Sequence, residues 1–386
     1  MSRRTAHPAR PATVLLAAIT LAAAGCGTKI AMPEAQGLFS VDAYVAYGEF
    51  PDAGARRLAV ANNLLFVLDA DGRLAKRNLN YELLEEVAGL ADPVDVAAGD
   101  DQELVFVWEE GAHRLTAFRT ADLTVAAAAE LPDLRGITRL VACRTGIAVT
   151  APGARTFLYL AAPDSGVVHR VAWYDDGTAA DMGILCRRDG LSVRFVHEPA
   201  GMAVDGDGML LVCDADTLRN WVIRFDPTPD LGDIDDDWPV GPWRGRAVVF
   251  ADSTCSPATE ADFTLGDARG CGEQWTGGPS DAPGEFTAPR AVAVDGAGRI
   301  FVADTGNSRV QVFTDRGEYA DILFGDATET PSPVALGVVD QRISSEKVDY
   351  GAYIFLIGRG DDRVRKYISA EHYNYLNQQP PPPPGG

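Results

Sequence analysis

Apolar residues along this chain come in short runs, each closed off by glycine, aspartate or a small polar cluster. Ile300-Phe301-Val302-Ala303 is a continuous apolar run of strand length, the pattern of a strand packed on both faces, and Val310-Gln311-Val312-Phe313 alternates as a more exposed strand does. Before them, Val292-Ala293-Val294 leads into Asp295-Gly296-Ala297-Gly298, where the glycines supply turn conformations that a β-carbon disfavours. Residues 319–324 add a fourth strand. Almost no segment carries the 3.6-residue period of a helix, and the Ala-rich residues 124–131 read as a strand within their own unit.

The succession repeats. Residues 198–226 match residues 288–315 through strand, D-G-x-G turn, a second strand ending in Asp, polar turn and third strand. Weaker copies occupy residues 57–78, 94–119 and 156–174, the last with residues 146–149 as its first strand, and residues 353–368 repeat the second and third strands. Arginine opens the third strand at Arg73, Arg114, Arg170, Arg309 and Arg363, with Trp221 at the corresponding place in the remaining unit. Six units of four antiparallel strands predict an all-β fold, a six-bladed β-propeller. The last unit lacks a fourth strand, and residues 38–50 are predicted to fill it and close the ring, which removes the exposed sheet edges.

The unit over residues 288–315 resembles the NHL repeat almost without change, and that family's usual six-bladed ring is what the resemblance implies. Some NHL-like propellers, the peptide-amidating lyases, bind zinc through histidines from several blades; their His-bearing motif is not matched here, so no zinc site is carried over. The propeller is expected over residues 38–370, interrupted by a polar, Gly-rich insertion at about 227–287. Within it, residues 246–251 are expected to complete the fourth blade, and Cys255 with Cys271 is the best candidate disulfide. Cys213, inside an apolar run, reads as a buried small hydrophobe, and a Cys143–Cys186 pair stays open. Residues 371–386, which include five consecutive prolines, are expected to be a Pro-rich disordered tail.

The N-terminus changes the picture. Arg3, Arg4 and Arg10 precede an apolar run too short to span a bilayer, the layout of a signal peptide over residues 1–25. Ala23-Ala24-Gly25-Cys26 resembles the bacterial lipobox, with Ala23 where Leu is usual. That resemblance implies a lipoprotein acylated on Cys26, with residues 26–37 as a tether. Gly27, where Asp would mark inner-membrane retention, points to the outer membrane of a Gram-negative cell. Net charge is −21, and cleavage would remove three arginines and no acid. A body this acidic excludes nucleic acid as a partner.

Candidate chemistry is sparse. His113 and His169 each precede a third-strand arginine and read as blade packing; His197 precedes a blade; His372 lies near the end. Asp304 with Arg309 reads as an ion pair holding the turn, and Asp214 is its counterpart. The cluster Asp230, Asp233, Asp235, Asp236 and Asp237 lacks the Gly and closing Glu of a calcium loop and reads as a solvated loop. No hydrolase elbow, zincin, P-loop or dinucleotide motif is present. The expectation is a non-catalytic binding or scaffold module for an envelope or extracellular protein or glycan, lipid-anchored in the cell envelope. The alternative is a metal-dependent hydrolase or lyase working in the central channel. No cofactor is required by any motif, and calcium or zinc belongs to that alternative.

Overall fold

The computed structural model describes residues 44–378 except 53, 100, 144–150, 152, 187–195, 218–219, 227–245, 250–263, 266–278, 316, 318, 324–331, 344–346 and 362. The signal segment, Cys26 and its tether, the acidic cluster, Cys255, Cys271 and the prolines lie outside these residues.

Six antiparallel sheets follow one another along the chain. The first strand, β1 (Tyr44–Pro51), belongs to the last sheet. Blade I is β2 (Ala55–Ala61), β3 (Leu64–Asp69), β4 (Leu74–Arg77) and β5 (Leu83–Val87). Blade II is β6 (Pro93–Ala98), β7 (Leu104–Glu109), β8 (Arg114–Arg119) and β9 (Val125–Glu130). Blade III is β10 (Arg139–Cys143), β11 (Ala154–Ala162), β12 (Val167–Tyr174) and β13 (Ala179–Cys186). Blade IV is β14 (Pro199–Val204), β15 (Leu210–Asp214), β16 (Trp221–Asp226) and an edge made of β17 (Arg246–Val249) and β18 (Thr264–Leu265). Blade V is β19 (Pro289–Val294), β20 (Ile300–Asp304), β21 (Arg309–Phe313) and β22 (Tyr319–Leu323). Blade VI is β23 (Pro333–Arg342), β24 (Val348–Gly358) and β25 (Arg363–Ser369), completed by β1.

The first strands of successive blades touch all the way round, β2 to β6, β10, β14, β19, β23 and back to β2, so the ring is closed. The protein is a six-bladed β-propeller. β1 pairs antiparallel with β25 from Tyr44↔Ser369 to Pro51↔Arg363, the closure expected of residues 38–50.

The cores lie between blades. Each of six buried clusters combines residues of two neighbouring sheets, such as Phe106 and Trp108 of blade II with Leu158 and Trp173 of blade III. Strands buried on both faces therefore read as continuous apolar runs. Where first strands approach closely, side chains disappear: a Cβ on Gly201 would stand 2.6 Å from the Arg290 carbonyl of the next blade.

A buried carboxylate ties each well-formed blade to the loop that enters it. Asp304, unexposed at the end of β20, accepts from Thr287 N at 2.7 Å, Asn307 Nδ2 at 2.8 Å, Arg309 Nε at 2.7 Å and Gln311 Nε2 at 3.1 Å. Arg309 then donates to the carbonyls of Asp281, Ala282 and Glu285. Glu109 does the same in blade II, accepting from Ala91 N at 2.8 Å, from Arg114 and from Thr116. Asp214 accepts from His197 N and Glu198 N in blade IV. Thr287, Ala91 and His197 each stand two residues before the proline that starts the first strand. The Asp304–Arg309 pair is thus structural, as expected.

Several expectations need correction. Blade III begins at β10, ahead of residues 146–149, which fall outside the described residues. Its third strand opens at Val167, so Arg170 sits inside β12, stacked 4.0 Å over the Phe157 ring. His113 and His169 are therefore not equivalent. The residue before the third strand takes a left-handed backbone, and it is His113 (φ 47°), Gly166 (φ 66°), Asn220 (φ 52°) and Ser308 (φ 51°) in blades II to V. In each D-G-x-G turn only the second glycine needs this region, Gly208 at φ 78° and Gly298 at φ 83°. The insertion is smaller than residues 227–287: β17 and β18 share one edge of β16, and Phe286 is buried against Phe313 of blade V. Together β17 and β18 pair with residues 222–226 of β16. Residues 370–378, assigned in part to the tail, form the helix α1 (Ala370–Gln378). Ser369 caps it by accepting from His372 N at 3.0 Å, and the His372 ring meets Tyr353 edge-on. No helix of the described residues is long and apolar enough to cross a membrane.

Two outcomes follow. Deleting β1 exposes the edge of β25 and should lower the melting temperature by roughly 10 °C or more, with self-association visible by size-exclusion chromatography. Burial raises the Glu109 pKa, but hydrogen bonds from Arg114, Ala91 N and Thr116 outweigh it and leave the carboxyl below its ordinary 4.5. Its stabilisation is present above pH 4.5 and lost as the pH falls through the lower folded value. Urea titrations from pH 6 to about pH 2 should show a shallower acid loss in Glu109→Gln than in the wild type.

Candidate functional site

The six first strands enclose a central channel of about 340 Å³. Its middle is aliphatic, walled by residues such as Leu58, Val96, Val141, Val204 and Val338. Chemistry gathers at one end, where the first strands begin. In five of the six blades the pairing there slips by one residue, between Ala55 and Arg57, Pro93 and Asp95, Pro199 and Gly201, Pro289 and Ala291, and Pro333 and Ala335. A bulge of this kind re-aims the side chains beside it. The pairs just inside the strand end, Arg57↔Leu68, Asp95↔Trp108 and Arg139↔Ala161, put Arg57, Asp95 and Arg139 at one level on blades I, II and III. Gly201, Ala291 and Ala335 occupy that level on blades IV to VI.

The mouth is a cavity of about 270 Å³ lined by Arg56, Arg57, Arg139, Arg290 and Arg359, with only small or apolar residues besides. Arg290 comes from the bulge of blade V. One acid lies just below: Asp95, whose Oδ1 is 3.8 Å from Arg57 Nε and whose Oδ2 accepts from Leu140 N at 2.8 Å. Glu198 stands 3.5 Å from Arg290 Nη2. The guanidiniums otherwise turn to backbone: Arg57 donates to Arg56 O and Arg139 to Thr138 O, each at 2.7 Å. The buried Nε atoms of Arg57 and Arg290 have no hydrogen-bond partner among the described residues.

The electrostatics follow from this crowding. Burial, then repulsion from Arg57 and Arg290, pushes the Arg139 guanidinium down to about 9 against the pull of Asp95. Burial lowers Arg57 as well. Burial also raises Asp95, opposed by Arg57 and Arg139. A guanidinium is a planar fork of donors with no acceptor, suited to holding carboxylate or phosphate oxygens and unsuited to removing protons.

The residues singled out in the sequence do not converge. His169 is 4.0 Å from Asp181, His197 is 3.7 Å from Asp216, and His372 is 3.7 Å from Asp349, each in a different part of the wheel. His113 contacts Arg135. Among the described residues no three His, Cys, Asp or Glu side chains are grouped to hold a metal. Cys213 is buried, and burial pushes its thiol up. Cys143 and Cys186 lie on the first and fourth strands of blade III, roughly 14 Å apart at the usual strand spacing, beyond disulfide reach. Lys366 was not singled out either: it donates to Leu79 O, lies 4.0 Å over the Tyr353 ring, and is lowered by burial to about 8. The mouth arginines were missed because nothing local marks them. The one available signal was a charged residue at the start of an apolar first strand.

Closed ring, blade architecture and clamp together define a six-bladed β-propeller that carries an NHL repeat. The family model described as NHL repeat matches residues 286–313, which is the body of blade V. The human "NHL repeat-containing protein 3" is 49% identical over 49 residues, covering 12% of this chain and 13% of that protein. Among solved structures, the β-propeller domain of Cps50 (Swd1) from Myceliophteria thermophila matches at 9% identity and a TM-score of 0.50, over 85% of this chain and 100% of that one. A protein of unknown function from Bacteroides thetaiotaomicron matches at 13% identity and a TM-score of 0.50, over 85% and 72%. A gluconolactonase from Xanthomonas campestris gives 13% identity and a TM-score of 0.46, over 83% and 88%. The two matches at 0.50 are likenesses of fold.

Asp95 is the counter-charge on which the mouth depends. Asp95→Ala should cost about 3 kcal/mol of stability, and Asp95→Asn, which keeps an acceptor for Leu140 N, should cost less; urea unfolding measures both.

Proposed function

We propose that this chain is a non-catalytic binding module, held at the cell envelope by lipid on Cys26, that engages an envelope or extracellular protein or glycan through the face bearing the channel mouth. The observation that carries the binding reading is the mouth itself, where guanidiniums from separate blades are aimed into one cavity by rigid strands. Such groups hold and orient an acidic partner.

The first described strand runs toward the mouth. Arg359 and Gly360 of the mouth lie in the turn just before Arg363, and Arg363 pairs with Pro51. Tyr44 pairs with Ser369 at the opposite end of the same strands, so the chain joins the wheel on the face away from the mouth. With Gly27 next to the lipidated residue, the outer membrane is the proposed location. Acyl chains on one cysteine suffice for such anchoring, at about 0.8 kcal/mol per buried CH₂.

The test uses the full chain in a bacterial host fed a palmitate analogue. The wild type should be labelled and sediment with membranes, and Cys26→Ser should lose both. Purified wild type should turn over no lactone or ester from a representative panel, with or without added zinc or calcium. Turnover that disappears in Arg139→Met would overturn the non-catalytic reading.

A further inference from the structure

Two kinds of arginine occur in this wheel. Arg73, Arg114 and Arg309 each bond a carboxylate of their own, Asp69, Glu109 and Asp304, at 2.6–3.0 Å. Arg57, Arg139 and Arg290 have no such private partner. Asp95 lies 3.8 Å from the first and is already engaged by Leu140 N, and Glu198 lies 3.5 Å from the last. The three come from blades I, III and V, alternate positions round a six-membered ring, so they address the channel axis from three sides.

We propose that the mouth is a site for a compact, multiply charged oxyanion presenting at least three oxygens, gripped by Arg57, Arg139 and Arg290. This rests on reading the mouth as a binding site, and adds the chemistry of what it binds. Four observations point the same way. The cavity, about 270 Å³, is lined by arginines and small residues with no carboxylate in its wall. Gly201, Ala291 and Ala335 complete the level of Arg57, Asp95 and Arg139, which leaves the space on their side unfilled by side chains. The Nε donors of Arg57 and Arg290 are buried and have no hydrogen-bond partner among the described residues. And the surplus of positive charge occurs in a chain of net charge −21, where carboxylates to neutralise it are plentiful elsewhere. Buried cations left short of counter-charge are unfavourable unless a ligand supplies it.

Phosphate monoesters and tricarboxylates both offer this chemistry, and the experiment separates them. Binding to the full chain in a non-ionic detergent is measured by calorimetry at fixed ionic strength, with glycerol phosphate, tricarballylate, and acetate as the monovalent control. At least one of the first two should bind saturably, one per chain, and acetate should not. Arg139→Gln and Arg290→Gln should each weaken binding about tenfold or more. Asp95→Asn, which removes the internal competitor, should tighten it. Should Arg139→Gln fail to fold, Arg290→Gln carries the test, because that side chain is 28% exposed and lies in no core cluster. Heats that do not saturate, that acetate reproduces, or that survive Arg290→Gln unchanged would overturn the proposal, as would weaker binding in Asp95→Asn. An anion that binds as expected but is consumed would leave the site standing and defeat the non-catalytic reading instead.

Discussion

One carboxylate, sealed from water at the end of a second strand, sets the geometry of a blade. Asp304, Glu109 and Asp214 each take a backbone N–H from the loop arriving from the previous blade, and Asp304 and Glu109 also take side chains of their own third strand. The loop thereby delivers its proline at a fixed height, the first strand starts there, and the slip in pairing that follows is repeated in five blades. The direction in which Arg57, Asp95 and Arg290 point is a consequence of that slip. Blade III, which ends its second strand in Ala162, shows no slip, whereas blade VI, whose second strand ends in Gly358, slips without such an acid.

The clamp also explains how an acidic protein maintains a positive channel end. Asp69, Glu109 and Asp304 are each held by hydrogen bonds within their own repeat. The axis is built from first strands alone, and the acid they place at the mouth level, Asp95, faces cations from more than one blade. Paired charges at the blade clamps and unbalanced cations on the axis are two results of the same architecture.

What could be read from the sequence follows from how local each feature is. The D-G-x-G turns, the continuous apolar runs and the terminal Asp of blades IV and V are signals contained within a few residues, and they reveal the blades and their number. Closure by β1 was legible because a unit short of one strand must find it elsewhere. Blade III was misaligned because Arg170 resembles the arginine of its neighbours, while the structure starts the strand at Val167 after the left-handed Gly166. Helix α1 was hidden by the prolines that follow it, although Ser369 offered a cap and His372 an apolar contact. The mouth was invisible for a different reason. Arg57, Arg139 and Arg290 are brought together by ring closure, with the pairing slip acting on Arg57 and Arg290 alone, and neither leaves a mark beside the residues themselves.

Closure by β1 carries a consequence for the order in which the wheel is assembled. The first strand of the propeller to be synthesised is the last to be paired, since its partner β25 lies at the other end of the chain. Blades I to V can each form from neighbouring segments, but the wheel has no finished rim until residues 363–369 arrive. A chain cut short anywhere before them retains two unpaired edges and an interrupted axis, and is open to recognition by proteases and chaperones. Joining the two ends in one sheet makes the finished rim a property of the complete chain alone.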